Sequence, residues 1–392
     1  MIYYTVIRDP QEKQVTLDDV LFNFDNNRLY NNFRPNVTNQ TITYECRYPE
    51  RKWLEKLPFS QSAMIERLKI FNELYANLRE RDRHSLYRIY KIPKNSGGLR
   101  TISEPNPMLQ SALYQLRVMF EEFGGLHHTA AYGYVKKRSA KNAIQMHQRN
   151  QSKWFMKTDL SDFFGSTTLD FAMNQISHVW PFSAICYKNA SPASDLSFNR
   201  SEGYNELKKA ISLGFLDGGL PQGSTLSPML TNLIMIPIDY TLMSEFSKHK
   251  LVYTRYADDM LISGQEKFPK NTVIKIINAA MEKYNAPYKL KEEKTKYVSS
   301  AGKNWNLGLM LNKDNEITVG YKNKKVFKAM MNNFILDQKN GKRWPTEDVN
   351  HMYGLLSYYR NIEKDYFDYL VAKINEKYHV DFDMMVKTVL KR

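Results

Sequence analysis

Two aspartates, Asp258 and Asp259, stand side by side between the apolar runs Leu251 to Tyr253 and Met260 to Ile262. A third, Asp159, closes another apolar run, Trp154 to Met156, and is followed by Leu160-Ser161-Asp162-Phe163-Phe164. Alone, an Asp-Asp pair between strand-like runs is the composition of a plain hairpin bend. The second segment shifts the balance, because a mixed sheet can bring the end of the 154–159 strand beside the 258–259 bend. Three carboxylates at one place repel one another unless cations neutralise them. Mg²⁺ does this with oxygen ligands, and two such ions about 4 Å apart clamp the attacking and leaving oxygens of an in-line phosphoryl displacement. Between the two segments lies Gly218-Gly219-Leu220-Pro221-Gln222-Gly223-Ser224-Thr225-Leu226-Ser227-Pro228. Its Gly and Pro content predicts a tight backbone approach followed by a helix, a pattern that an ordinary loop also produces.

The elements that must position these residues read as mixed α/β from 153 to 310, with helical stretches at 168–179, 225–247 and 270–284. Upstream, Met64, Ile65, Leu68, Phe71, Leu74, Tyr75 and Leu78 recur at helical spacing, and 107–123 also reads as helix. Tyr87 to Pro93 alternates like a strand, Asn95-Ser96-Gly97-Gly98 is turn composition, and Leu99 to Ile102 returns, so a basic hairpin is expected. From 322 onward the chain reads as helix and is net basic. Met352, Leu355, Leu356, Tyr359 and Ile362 form one apolar stripe there, and Tyr366, Leu370, Ile374 and Tyr378 another. Residues 1–60 are Asn-rich with short β-like runs and read as an irregular extension.

Composition narrows the partner. Apolar residues make up 42% of 392, enough for a sizeable core, while 56 Lys+Arg against 41 Asp+Glu leave a net charge of +15. An excess of that size favours a polyanion, and 26 Tyr add surfaces on which unpaired bases could stack. Two cysteines, Cys46 and Cys186, exclude a disulfide framework or a Cys-rich zinc site and fit a reducing, cytoplasmic setting. No signal peptide and no membrane span are expected.

Taken in order, these segments resemble the motifs of reverse transcriptases. Tyr256-Ala257-Asp258-Asp259 resembles the Tyr-x-Asp-Asp box, and Asp159 the aspartate of the first palm motif. Leu220-Pro221-Gln222-Gly223 with Ser227-Pro228 resembles the second palm motif. Ile92-Pro93-Lys94 with Gly97-Gly98-Leu99-Arg100 resembles the fingers hairpin, Lys294-Thr295-Lys296 the fourth motif, and Asn306-Leu307-Gly308 the primer grip. The resemblance spans about 86–392 in family order. It implies an α/β (α+β) right hand: an N-terminal extension and helix over 1–85, fingers over 86–152, a palm of mixed sheet and flanking helices over 153–310, and a helical thumb over 311–392. It implies an RNA-directed DNA polymerase in which Asp159, Asp258, Asp259 and the Leu160 carbonyl hold two Mg²⁺ ions. Lys94 and Arg100 would hold the triphosphate, Gln222 would sit against the incoming nucleotide, and Lys294 would protonate the leaving pyrophosphate. Phe164 falls at the position where an aromatic ring collides with a 2′-hydroxyl. The thumb would grip nucleic acid through Lys322, Lys324, Lys325, Lys328, Lys342 and Arg343, with Trp344 a stackable ring beside the last two. An RNA template, a DNA product and dNTPs are the implied partners, and an effector protein and a homo-oligomer are open to it.

Within the family the chain resembles the bacterial branch of group II introns, retrons and defence-associated enzymes. Nothing after the thumb resembles an endonuclease or maturase domain, which disfavours a mobile intron protein. Gln222 and Pro228 disfavour the diversity-generating branch. Retron enzymes carry Val-Thr-Gly where Asn306-Leu307-Gly308 stands here, so a stand-alone antiphage enzyme copying a noncoding RNA ranks first. A retron enzyme ranks second, beside a template-independent polymerase of the same fold. A nuclease with the same two-metal chemistry would have no use for Lys94, Arg100 and Gln222, and an inactive scaffold none for three aspartates.

Overall fold

The computed structural model describes residues 2–4, 44–46, 60–94, 97–124, 126–186, 201–300 and 306–391. Most of the Asn-rich extension lies outside these residues, as do Asn95 and Ser96 of the hairpin turn. What is described of the extension is a two-stranded antiparallel ribbon, β1 (Ile2–Tyr4) on β2 (Tyr44–Cys46), within the part of the chain whose sequence shows short β-like runs.

The chain divides into two compact units. The first comprises Met1–Arg138, Met156–Ile262 and Phe268–Lys296; the second comprises Ser139–Phe155, Ser263–Lys267 and Tyr297–Arg392. In the first, α1 (Gln61–Leu74) starts at Ser60, whose hydroxyl accepts from the Ala63 N–H. It stops at Tyr75, and a separate helical turn, Ala76–Glu80, carries on, so the single long helix expected from spacing is interrupted. The basic hairpin forms as β3 (Tyr87–Pro93) and β4 (Leu99–Pro105), antiparallel with Ile92 opposite Arg100. Gly97 and Gly98 turn it at φ 88° and 81°, the left-handed region that glycine enters without penalty. Next, α2 (Pro107–Phe123) fills the expected 107–123: Asn106 caps it, Pro107 begins it, and Leu109, Leu113, Leu116 and Phe120 make one buried stripe.

The second unit opens with α3 (Ala140–Arg149). The four-stranded sheet is built of β5 (Trp154–Asp159), β6 (Val252–Tyr256), β7 (Asp259–Gly264) and β8 (Lys296–Ser299), in the order β6-β7-β5-β8, with β6 and most of β5 and β7 in the first unit. Its strands β6 and β7 are buried almost throughout, as strands covered on both faces must be. Around it in sequence stand α4 (Leu169–Ile176), α5 (Glu202–Ser212), α6 (Ser227–Ile234), α7 (Ile236–Lys248) and α8 (Lys270–Lys283). The stretch 225–247, expected as one helix, is two. Pro237, which cannot donate within a helix, sits in the first turn of the second.

Beyond α3, the second unit holds a small hairpin, β9 (Met310–Leu311) with β10 (Ile317–Thr318), and four further helices. These are α9 (Tyr321–Lys339), α10 (Thr346–Ile362), α11 (Lys364–Tyr378) and α12 (Phe382–Leu390). The first apolar stripe buries Met352, Leu356 and Ile362 as expected. In the second, Leu370 and Ile374 are buried, but Phe367 takes the core place assigned to Tyr366, which is exposed.

Candidate active site

The link between β6 and β7 is only Ala257-Asp258, so the two strands form a hairpin whose bend is the Tyr-Ala-Asp-Asp segment. Ala257 has φ 57°, a left-handed conformation that costs an L-residue roughly 1–2 kcal/mol. Two neighbours hold it there. A Cβ on Gly133 would stand 2.5 Å from the Ala257 nitrogen, so only glycine lets that backbone approach. Arg255 reaches past the bend and donates from Nη1 to the Ala257 carbonyl at 3.1 Å. The same guanidinium, wholly buried, donates from Nε and Nη2 to Asp239 of α7 (2.9 and 2.6 Å), and Nη1 also reaches Asn232 Oδ1. Tyr253 Oη donates to Asp239 as well, and Asn232 closes the network on the Gly133 carbonyl.

Beside this bend comes the end of β5. The Leu160 N–H donates to the Asp258 carbonyl at 3.2 Å, which locks the two segments together. Asp159 is 3% exposed, and its carboxylate is hydrogen-bonded with that of Asp258. Burial and this contact push Asp258 up to about 7. Burial acts on Asp159 in the same direction, but hydrogen bonds from Lys294 and Lys291, at 2.6 and 3.1 Å, win and hold it below the usual carboxylate range. Asp259 is not part of that hydrogen bond, although its charge adds to the rise at Asp258; its Oδ1 pairs with Lys157 Nζ at 3.0 Å. Among the described residues, no group of three His, Cys, Asp or Glu stands close enough to hold a metal ion. The structure thus brings Asp159 and Asp258 together and leaves Asp259 on a lysine.

The donors present suit a hard divalent cation. Two carboxylates in contact, one of them raised by the other, form a like-charged pair that oxygen-seeking ions relieve. The bridge between Leu160 and Leu290 uses the Asp159 carbonyl and the Ser161 N–H, not the carbonyl of Leu160, the group expected to assist the aspartates.

Phe164 lies five residues past Asp159 on a turn fixed by the Gly218-Gly219-Leu220 loop. The Leu220 N–H donates to the Phe164 carbonyl at 3.0 Å, and a Cβ on Gly219 would lie 2.1 Å from the Gly165 oxygen. The half-buried Phe164 ring meets Tyr134 edge-on, with centroids 6.4 Å apart. Tyr134 is 55% exposed; its partial burial raises the phenol, the charges of Asp258 and Tyr256 add to this, and Arg100 opposes it. Gln222 is half-buried, and its carbonyl accepts from the Ser103 N–H of β4 at 2.7 Å, tying the loop to the hairpin. Lys94 and Arg100 are exposed at the hairpin's end. The helix that follows, α4, is capped by Thr168, whose hydroxyl accepts from the Phe171 N–H.

In the second unit, Asn306-Leu307-Gly308 is a tight turn, closed by paired backbone bonds between Asn306 and Leu309, with Leu307 and Gly308 at φ 54° and 79°. Lys322, Lys325 and Lys328 form an exposed i, i+3, i+6 row on α9, and Arg343 is exposed too. Lys324 is committed to Glu363 and lies over the Tyr366 ring, and Lys342 pairs with Asp337. Trp344, expected to offer a stacking surface beside them, packs on Phe334 and donates to Asp337.

Sequence reasoning missed Lys157, Gly133, Tyr134 and the Arg255-Asp239-Asn232 network as parts of the site. The adjacency of Arg255 to the bend and the run Tyr132-Gly133-Tyr134 were the available signals. Asp239 and Asn232 carried none, since helical spacing treats them as interior polar residues.

Residues 92–318, more than half of the chain, match the family described as reverse transcriptase (RNA-dependent DNA polymerase), and the chain belongs to that family. It is an RNA-directed DNA polymerase by class, with RNA template, DNA product and dNTPs as the family's reactants and a general dependence on divalent metal. Among curated proteins it is similar to the retron Ec83 reverse transcriptase of Escherichia coli, 26% identical over 74% of this chain and 87% of that one. The Ec73 enzyme of the same organism is 27% identical over 74% and 86%, and the retron Mx162 enzyme of Myxococcus xanthus is 31% identical over 50% and 39%. The similarity is thus to the retron branch, which the Asn306-Leu307-Gly308 departure had set second. Among solved structures, telomerase from Candida albicans with a TWJ fragment of telomeric RNA is 13% identical, with a TM-score of 0.42 over 76% of this chain. The chain spans about half of that protein's length. No helix among the described residues is long and apolar enough to cross a membrane.

Proposed function

We propose that this protein makes cDNA by nucleotidyl transfer with two Mg²⁺ ions held by Asp159, Asp258, Asp259 and the Leu160 carbonyl. The observation that carries this reading is the contact between the Asp159 and Asp258 carboxylates, at the paired ends of β5 and the β6–β7 hairpin. When bound, the ions would neutralise the developing charge and align the primer 3′-oxygen with the α-phosphate. The chain's own residues do the rest. Lys94 and Arg100 hold the triphosphate, Arg100 through its planar fork. Gln222 lies against the nucleotide, Asn306-Leu307-Gly308 supports the primer end, and Lys294, bonded to Asp159 in the free protein, gives a proton to the departing pyrophosphate.

The test is primer extension on an RNA template with labelled dNTPs, with Mg²⁺ or with chelator. Incorporation that needs neither template nor metal overturns the reading. A second arm addresses the sugar: Phe164→Ala is expected to raise rNTP use relative to dNTP use, because the ring excludes a 2′-hydroxyl instead of attracting deoxyribose. An unchanged ratio with activity retained removes Phe164 from that role.

The enzyme's template is proposed to be a noncoding RNA, its setting the cytoplasm and its purpose antiphage defence, alone or with an effector protein. A retron enzyme making RNA-linked DNA is the second reading, and the similarity to the two Escherichia coli retron enzymes favours it over a stand-alone one. Template binding by the helical thumb is expected to depend on Lys322, Lys325, Lys328 and Arg343. Replacing all four with Ala should flatten the log–log salt dependence of RNA affinity by up to about four units. The fold should survive, since exposed charge changes seldom cost more than ~0.5 kcal/mol each. Superimposable binding curves for wild type and variant would move the RNA contact elsewhere.

A further inference from the structure

The pairing of Asp259 with Lys157 has no place in the roles assigned so far. Lys157 stands two residues before Asp159 on β5, so both side chains leave the strand on the same side. Its ammonium lies 3.0 Å from Asp259 Oδ1, and the two side chains are 29% and 31% exposed, so the pair is partly shielded from water. Lys291 and Lys294 occupy Asp159 in the same way. Three carboxylates are thus met by three ammonium groups, and the one that Lys157 holds is the one missing from the Asp159–Asp258 contact.

We propose that Lys157 is a positioning residue that keeps the Asp259 carboxylate off the metal site, so that a divalent cation gains its third carboxylate only by displacing this ammonium. The proposal rests on the metal-site reading given above. Lys157 then does two things. In the metal-free protein it offsets part of the repulsion that Asp259 adds to Asp258. During loading it competes with the cation, so metal affinity is set by a built-in rival and not by the aspartates alone. Lys157 does not touch the reacting atoms in this account; it acts through Asp259.

The experiment reads metal binding directly. Mn²⁺ is titrated into the full-length, nucleic-acid-free protein, and the free ion is followed by its paramagnetic resonance signal. Asp258→Asn defines the site, since binding lost in that variant belongs to it. Lys157→Met is expected to bind Mn²⁺ about three- to tenfold tighter than wild type, the range set by loss of a partly shielded ion pair. Lys157→Arg, which keeps the pair, should behave as wild type, and Lys157→Met in an Asp259→Asn background should change affinity much less than it does alone. Lys157→Gln serves as a second neutral variant with a polar end, and circular dichroism checks the fold of each. Unchanged or weaker binding in both neutral variants overturns the proposal, as does a gain that persists undiminished without Asp259. Mn²⁺ binding indifferent to Asp258→Asn would instead overturn the metal-site reading, and this proposal with it.

Discussion

Asp258→Asn is expected to lower nucleotide incorporation by at least ~10³, the loss of about 4 kcal/mol of transition-state stabilisation. The substitution keeps the size of the side chain and removes a charge at the bend where two carboxylates touch. Its effect on the fold should run the other way. Asp258 is already raised to about 7 by burial and by Asp159, so an amide there relieves repulsion in the metal-free protein. Melting in chelator should therefore occur no lower than in wild type. Asp259→Asn should lose incorporation as well, because the proposed metal site takes Asp259 as its third carboxylate. Single-turnover incorporation and thermal melting of the same samples check both statements. Normal turnover by either variant would remove that carboxylate from the reaction.

The largest expected effect on stability is at Arg255. Arg255→Leu strands the wholly buried carboxylate of Asp239 without its partner, a change that costs about 3–5 kcal/mol. Pairing it with Asp239→Leu removes the stranded charge and should restore most of the loss, since a buried ion pair replaced by apolar side chains is often close to neutral. Activity should not return with stability. The Ala257 carbonyl and Asn232 still lack their donor, and the bend that carries Asp258 is no longer held. Urea midpoints and incorporation rates for the two single variants and the double variant separate these effects. A double variant with wild-type activity would show that Arg255 does not position the bend.

The family and the residues proposed to carry its chemistry could be read because reverse transcriptase motifs are local: each is a few residues whose order along the chain is itself informative. The hairpin of β3 and β4 and the helix α2 were legible for a related reason, since alternation, Asn106, Pro107 and Gly124 all act within a few residues of themselves. What was not legible depends on partners far apart in sequence. Nothing near Lys157 says that it will meet Asp259, and nothing near Tyr134 says that it will meet Phe164. Trp344 read as a stacking surface because the neighbours of a Trp in sequence cannot say which face of it is already covered. The interruption between α6 and α7 was signalled by Pro237, but the apolar periodicity ran through it. Tyr366 and Phe367 differ by one position, and a stripe drawn by spacing alone cannot choose between two adjacent aromatics at the start of a helix.

The buried bond between α7 and β6 also constrains the order in which the chain can assemble. Asp239 and Arg255 are 16 residues apart, and neither is exposed in the folded protein. Each alone is costly to take out of water, so strand and helix must dehydrate together. The bend that carries Asp258 follows Arg255 directly, and its backbone is tied to that guanidinium. A chain whose helix has not docked therefore has no formed bend at Asp258, and one that has lost the helix has lost the bend with it. Newly made or partly denatured molecules should be unable to extend a primer at all instead of extending it badly. In a cell full of RNA, an enzyme whose immature forms are silent leaves no stray DNA behind while it folds.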